Sequence, residues 1–313
     1  MNGEIRSDKA SARWPSIMLI ANPAAGRAGD RNITRLAGYL RSHGASVEVS
    51  ITEKRGDARE YALRAARSDK KPDMIVAAGG DGTINEVVNG IAGTEVPMGV
   101  IPLGTVNLYA LETGIPMDIL KACDALLNGV VKKVNVGKVN DRYFILMAGI
   151  GFDADVVYRL DLGLKSRIGR LAYVLTGFSR VVSYPFNRLT IEIDGSRTVE
   201  GYSLVIGNMK YYGGKVSVTP LAGFEKQSLD ICVFKGKGTL NMLKYAWGVL
   251  RKAHLGFRDV EYSTVRSIRV SSPKKTYVQV DGDIFGTLPA VFCIAEEMVS
   301  VVLPPEYAQD PLF

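Results

Sequence analysis

Between Pro15 and about Val134 the apolar positions alternate between short continuous runs and helical spacing. Ser16 to Ala21 is nearly continuous and reads as a buried strand. Ile33, Leu36 and Leu40 then recur at helical intervals, and Gly44 stands where a helix would end. Val47 to Ile51 predicts a second strand. Asp57 followed by Glu60 has capping-box spacing and opens a helix through Ala66. Met74 to Ala77 is a third strand, Thr83 with Glu86 is a second capping box, and a fourth short strand lies near Val100. Strand and helix in alternation imply a parallel sheet with helices on its faces.

After about Lys133 the period changes. Val134 to Val139 and Tyr143 to Met147 flank Asn140-Asp141, and Leu189 to Ile193 and Val199 to Ile206 flank Asp194-Gly195; both are hairpin signals. Leu229 to Phe234, Val265 to Val270, Tyr277 to Val280 and Val299 to Leu303 are further strand-like runs. The predicted fold class is α/β: an N-terminal open parallel-sheet domain over residues 14–134 and a C-terminal antiparallel β-sandwich over 135–313. The extreme C-terminus is free to pack back on the first domain.

Composition narrows the classes. The chain has 313 residues, 47% hydrophobic and 23% charged, which excludes a disordered chain. No run of 18 apolar residues exists, so no transmembrane helix is expected. Met1 to Ala12 are polar and lack the apolar stretch of a signal peptide, so a cytoplasmic protein is expected. Cys123, Cys232 and Cys293 form no disulfide framework, and with only His43 and His254 a multi-histidine zinc site is nearly excluded. The formal charge of +7 suits anionic partners: phosphates, acidic lipids or nucleic acid.

The strongest local signal is Gly79-Gly80-Asp81-Gly82-Thr83-Ile84-Asn85-Glu86, which follows a strand and opens a helix. Glycines let backbone approach a ligand closely, and free N–H groups at a helix start favour an anion such as phosphate. Asp81 fits such a site when a cation, such as Mg²⁺ on a nucleotide, joins it. An ordinary glycine-rich turn is the competing reading. Two further loops leave the same predicted sheet edge: Asn22-Pro23-Ala24-Ala25-Gly26-Arg27 and Pro102-Leu103-Gly104-Thr105-Val106-Asn107. Loops at the carboxyl ends of parallel strands line the ligand crevice. Asn22, Thr52, Thr83, Thr105 and Asn107 offer short polar groups to a purine, a ribose or phosphates, though each also reads as a turn or cap residue.

Other patterns carry less. No GxxxxGK[ST] or G-x-S-x-G is present. Gly149-Ile150-Gly151-Phe152-Asp153-Ala154 matches a dinucleotide fingerprint but follows a strand of the hairpin half. Val280-Asp281-Gly282-Asp283 is a tight-turn signal whose carboxylates are also able to take the proton of an attacking hydroxyl. Two basic amphipathic segments stand out: Ile168, Leu171, Leu175, Phe178 and Val182; and Leu240, Leu243, Trp247 and Leu250 with Lys244, Arg251 and Lys252. Each reads either as a helix packed on the sheet or as a surface helix for acidic lipid headgroups. No nucleic-acid-binding signature is present, and nucleic acid is not an expected partner.

Taken in order, these pieces resemble the diacylglycerol kinase catalytic-domain family, which includes bacterial lipid kinases and the sphingosine and ceramide kinases. The matching residues are Asn22-Pro23-x-x-Gly26, Gly79-Gly80-Asp81-Gly82-Thr83-x-Asn85-Glu86, Pro102-Leu103-Gly104-Thr105-x-Asn107 and Gly149-x-Gly151-Phe152-Asp153-Ala154. Gly213-Gly214, Pro220-x-Ala222, Leu229-Asp230 and Asp281-Gly282 complete the series. The glycine stretch alone is shared with NAD kinases and phosphofructokinases.

The resemblance implies an ATP-binding domain, a lipid-binding sandwich and transfer of the γ-phosphoryl group to a lipid hydroxyl within lipid and phospholipid metabolism. It implies that Gly79, Gly80, Asp81, Gly82, Thr83, Asn85 and Glu86, with Asn22, Gly26, Arg27, Thr52, Gly104, Thr105 and Asn107, form the nucleotide site. Asp81 then orients phosphate-bound Mg²⁺ or assists the base. The family's proton-accepting Glu corresponds to Asp283, one methylene shorter. The family's frequent Asp after GTxN is Leu108, and the structural Mg²⁺ ligands of some members correspond to Lys226 and Gln227. No protein-held metal is therefore carried over; the Lys226 ammonium is able to replace such a cation's charge. The expected protein is an ATP-dependent lipid kinase at an anionic membrane surface, with a homodimer left open. The rival readings are a kinase of a soluble hydroxyl compound and a nucleotide-regulated lipid-binding protein.

Overall fold

The computed structural model describes residues 13–159 and 184–309. Met1 to Ala12 and the apolar stripe from Ile168 to Val182 lie outside these residues. In the first half, β1 (Ser16–Ala21), β2 (Ser46–Ile51), β3 (Met74–Gly79) and β4 (Met98–Pro102) form a parallel array in the order β2-β1-β3-β4. Every residue of β3 and β4 is buried. That is why both read as continuous apolar runs: a parallel sheet is covered on both faces. The helices α1 (Gly29–Ser42), α2 (Asp57–Arg67), α3 (Asp81–Ile91), α4 (Leu108–Glu112) and α5 (Ile119–Asn128) provide that cover. The α1 stripe Ile33, Leu36, Ala37 and Leu40 is buried, and each large apolar side chain removed from water contributes about 1.5–3 kcal/mol.

The second half contains β5 (Val130–Val139), β6 (Arg142–Phe144), β7 (Met147–Gly151), α6 (Phe152–Arg159), β8 (Leu189–Ile193), β9 (Arg197–Gly201), β10 (Ser203–Gly207) and β11 (Leu229–Phe234). It continues through α7 (Thr239–Leu250), β12 (Val260–Val265), β13 (Ser267–Ser271), β14 (Tyr277–Val280), β15 (Asp283–Thr287) and β16 (Ala290–Leu303). An antiparallel sheet in the order β12-β11-β10-β7-β14-β15 faces the strands β16-β13-β8-β9. Leu204, Ile206 and Ile231 from one layer, with Ile191, Ile268 and Phe292 from the other, belong to the core between them. β16 joins the halves. Phe292 pairs with Ile268 of β13, Val299 pairs antiparallel with Val134 of β5, and Val301 meets Met98 of β4 in parallel.

Three strand-like runs that look single are divided. Val199 to Ile206 breaks at Tyr202 into β9 and β10, which lie in different sheets. Val265 to Val270 breaks at Arg266 into β12 and β13, again in different sheets. Tyr143 to Met147 breaks at Ile145-Leu146 between β6 and β7. Strands that cross from one layer to the other keep their apolar character because both layers face the same core. Neither expected capping box forms. Gly56 and Gly80 are the N-caps of α2 and α3, with no side-chain cap. Asp57 instead accepts the N–H groups of Glu53 at 2.8 Å and Lys54 at 2.9 Å. Glu60 pairs with Arg64 at 2.9 Å.

Candidate active site

The strand order reverses between β1 and β3, and the crevice of such a sheet opens at the carboxyl ends of the strands there. The three glycine-containing loops meet at that edge. The Asn22 N–H donates to Ala78 C=O at 3.0 Å, Arg27 N–H to Leu103 C=O at 2.8 Å, and Leu103 N–H to Gly79 C=O at 2.8 Å. Across the reversal, Asn22 Nδ2 reaches Thr83 Oγ1 at 3.4 Å. Thr52 directly follows β2, its N–H donating to Ala21 C=O at 2.9 Å.

Close approach of backbone explains the residue types. A Cβ on Gly104 would fall 2.6 Å from Gly80 Cα and 2.7 Å from Asn107 Oδ1, so the two loops touch only because glycines face each other. A Cβ on Gly26 would lie 3.1 Å from Thr105 Oγ1. Gly82 is exposed, with open space in front of it. It sits in the first turn of α3, where N–H groups have no partner within the helix and the helix dipole is positive. Asn107 is buried and left-handed at φ 53°; its Nδ2 donates to Gly104 C=O at 2.9 Å, while its Oδ1 has no partner among the described residues.

Asp81 ties the turn to the third loop. Its carboxylate accepts Leu108 N–H at 3.0 Å and Tyr109 N–H at 3.1 Å, the amides that open α4. Burial raises its pKa above the ordinary value, and the two amides pull it back. Arg27, an exposed residue of the first loop, clamps the third, donating to Pro102 C=O at 2.8 Å and Met117 C=O at 2.9 Å.

The second half reaches α3 through the β14–β15 turn, where Asp281 and Gly282 both have positive φ and Val280 pairs with Asp283. The Asp281 carboxylate accepts Asn85 Nδ2 at 2.7 Å and the N–H groups of Ile145, Leu146 and Met147 at 2.9 Å. Burial pushes its carboxyl up to about 6 against these four donors. Asn85 lies four residues, roughly 6 Å, along α3 from Asp81. Asp283, two positions beyond Asp281, accepts Arg55 at 2.9 Å and has Arg142 at 3.8 Å. Behind the turn, Gln279 joins Gly282 N–H at 2.9 Å to Asp153 at 2.7 Å. A Cβ on Gly149 would lie 1.7 Å from Asp153 Oδ2, so the glycine of that fingerprint makes room for a carboxyl within the sandwich.

The expected nucleotide residues therefore separate. Asn22, Gly26, Thr52, Gly79, Gly80, Asp81, Gly82, Thr83, Gly104, Thr105 and Asn107 belong to the converging loops. Asn85 faces the other domain instead, and Glu86 closes the start of α2 by accepting Gly56 N–H at 2.9 Å and Ala58 N–H at 3.2 Å. Both side chains are engaged within the protein, Glu86 at the start of α2 and Asn85 with Asp281. Arg55 and Arg142 also converge on Asp283, and neither stands in a motif. Arg55 lies three residues beyond Thr52 in the loop at the carboxyl end of β2, which is the signal that points to it. Lys226 donates to Leu221 C=O and lies 3.8 Å from Asp230, a buried carboxylate that also accepts Tyr262 and Thr264 hydroxyls.

Residues 16–139 match the family model described as diacylglycerol kinase catalytic domain, and residues 147–303 match the one described as YegS C-terminal NAD kinase beta sandwich-like domain. The diacylglycerol kinase of Bacillus subtilis (strain 168) is 33% identical over 296 residues, spanning 93% of this chain and 97% of its own. That of Staphylococcus aureus (strain MRSA252) is 35% identical over 308 residues, 94% of each chain. A crystal structure of a diacylglycerol kinase from Bacillus anthracis str. Sterne superposes with TM-score 0.76 at 26% identity, covering 94% of this chain and 99% of that one.

Proposed function

The chain belongs to the diacylglycerol kinase family and is a kinase, and on that premise we propose that it transfers the γ-phosphoryl group of ATP to the hydroxyl of diacylglycerol or a related lipid alcohol. The triphosphate lies against the amides of Gly79 to Gly82 at the start of α3, where backbone donors and the helix dipole favour negative charge. Asn22, Thr52, Thr83, Thr105 and Asn107 border the rest of the nucleotide. Magnesium comes with the triphosphate. Among the described residues no group of three His, Cys, Asp or Glu is arranged to hold an ion, while Asp81 keeps acceptor capacity beyond its two amide partners. Asp283 accepts the proton of the attacking hydroxyl, and Arg55 and Arg142 offset negative charge as the phosphoryl group moves.

The observation that carries this reading is the docking of the β14–β15 turn on α3 through Asn85 and Asp281 at 2.7 Å. It supports the reading by joining the turn that carries Asp281 and Asp283 to the helix that opens after Gly80, and phosphoryl transfer depends chiefly on such positioning. The test is a radiolabelled-ATP assay on pure diacylglycerol and on total lipid extract. The wild-type protein labels lipid, and Asp81→Asn and Asp283→Asn each reduce turnover more than ~100-fold. Label in a water-soluble product alone would replace the lipid acceptor by a soluble one. Wild-type turnover in both variants would remove the catalytic assignment.

A further inference from the structure

The outer face of the second domain carries an apolar surface that the kinase site does not use. α7 packs inward through Tyr245 and Gly248, with Tyr245 in a small cluster with Val205, Cys232 and Phe234 on the β10 and β11 strands. It is held firmly there. Tyr245 Oη donates to Asp259 at 2.6 Å and accepts Gly236 N–H at 2.7 Å, Lys244 pairs with the same Asp259, and buried His254 meets Val218 C=O at 2.9 Å just beyond the helix. The opposite face is apolar: Leu240 is 84% exposed, Leu250 63%, Trp247 58% and Leu243 43%. Their spacing of three, four and three residues places them along one stripe.

Charge selects the occupant. From Lys235 to Arg258 the chain holds six Lys or Arg and no Asp or Glu. Lys235 and Lys244 are engaged by Glu261 and Asp259. Lys237, Arg251, Lys252 and Arg258 are exposed, and the Arg251 guanidinium lies 4.6 Å over the Trp247 ring. An exposed apolar stripe with an indole at its centre and a cationic border is the pattern of a helix that lies in a membrane interface, its aromatic at headgroup level and its basic residues on anionic lipid. A second copy of the chain would meet the same positive charge with positive charge. We propose that α7 is the membrane-docking element and that it selects an anionic bilayer. The inference rests on the lipid-substrate reading, since a kinase of diacylglycerol must meet its acceptor where that lipid resides. Among the described residues no helix is long and apolar enough to span a membrane, so attachment through α7 is interfacial.

The chain has two tryptophans, Trp14, which is buried, and Trp247, so emission reports on α7. The full chain is titrated with vesicles of phosphatidylcholine alone and of phosphatidylcholine with phosphatidylglycerol in equal parts. Emission shifts to the blue only with the anionic vesicles, and Trp247→Phe abolishes the shift. Leu240→Ser with Leu250→Ser lowers vesicle partition at least ~10-fold, and Arg251→Gln with Lys252→Gln removes the preference for phosphatidylglycerol. Turnover on short-chain diacylglycerol dispersed in detergent reads the substrate proposal separately: retention of that turnover with loss of vesicle binding supports the inference. Vesicle binding by the double Ser variant equal to wild type overturns it. So does sedimentation showing that the same variant turns a dimer into a monomer, because a second copy would then own the face.

Discussion

Arg55, in the loop after β2, donates to the carboxylate of Asp283 in β15 at 2.9 Å, joining the first domain to the second across the cleft. The side chains are 62% and 35% exposed, so the pair contributes less than about 1 kcal/mol to stability. Arg55→Ala is expected to lower Tm by no more than about 4 °C. Turnover should fall at least ~10-fold, because a cation facing transferred phosphoryl charge matters more than the slight release of Asp283. Thermal melts and initial rates on one preparation decide it; unchanged turnover would assign Arg55 to the surface alone.

By the family resemblance Asp283 takes the place of a proton-accepting Glu, one methylene shorter. If the carboxylate acts on a hydroxyl, its ionisable group matters more than its reach. Asp283→Glu should keep turnover within ~10-fold of wild type, while Asp283→Asn loses more than ~100-fold with nucleotide affinity intact. Equal losses in both variants, read by rates and by calorimetric nucleotide binding, would make the side chain a spacer.

Glu86 separates a structural role from nucleotide contact within its motif. Its carboxylate accepts Gly56 and Ala58 N–H at the start of α2. Glu86→Ala should cost about 1–2 kcal/mol in urea unfolding, as loss of a helix cap does, and leave nucleotide affinity within ~3-fold. A large affinity loss at unchanged stability would return Glu86 to the nucleotide.

Burial pushes the Asp153 carboxyl up to about 6, opposed by its hydrogen bond from Gln279. A carboxyl that holds its proton more tightly when folded stabilises the fold below its unfolded pKa, near 4. That contribution fades as pH rises through 6. Asn cannot ionise, so wild-type stability minus that of Asp153→Asn should fall by roughly 1–3 kcal/mol between pH 4 and 7. Urea unfolding across that range measures it; a difference that stays flat would mean the carboxyl titrates alike folded and unfolded.

What the sequence reveals here depends on how local the cause is. Ser16 to Ala21 is read to the residue because a buried parallel strand needs only a continuous apolar run. The Asp281-Gly282 hairpin is legible for the same reason, since left-handed turns select those residues. The capping boxes fail because Asp57 and Glu86 find amides outside their own helix starts. Tyr202 and Arg266 divide strand-like runs where the chain changes layers, and a polar residue within such a run marks an outward-facing strand position as readily as a break. Asn85 looks like part of a phosphate loop, yet its partner Asp281 is 196 positions away. The junction between the domains, which brings Asp283 to the cleft, rests on such long-range pairs.

The proposed kinase site needs a triphosphate on the backbone amides where α3 begins, with Asp283 of the second half facing it. A crystal structure of the full chain with a non-hydrolysable ATP analogue and magnesium tests this most directly. Phosphate oxygens should lie within hydrogen-bond distance of the amides between Gly79 and Thr83, with the γ-phosphate turned toward Asp283. Nucleotide bound elsewhere, with those amides unengaged, would contradict it.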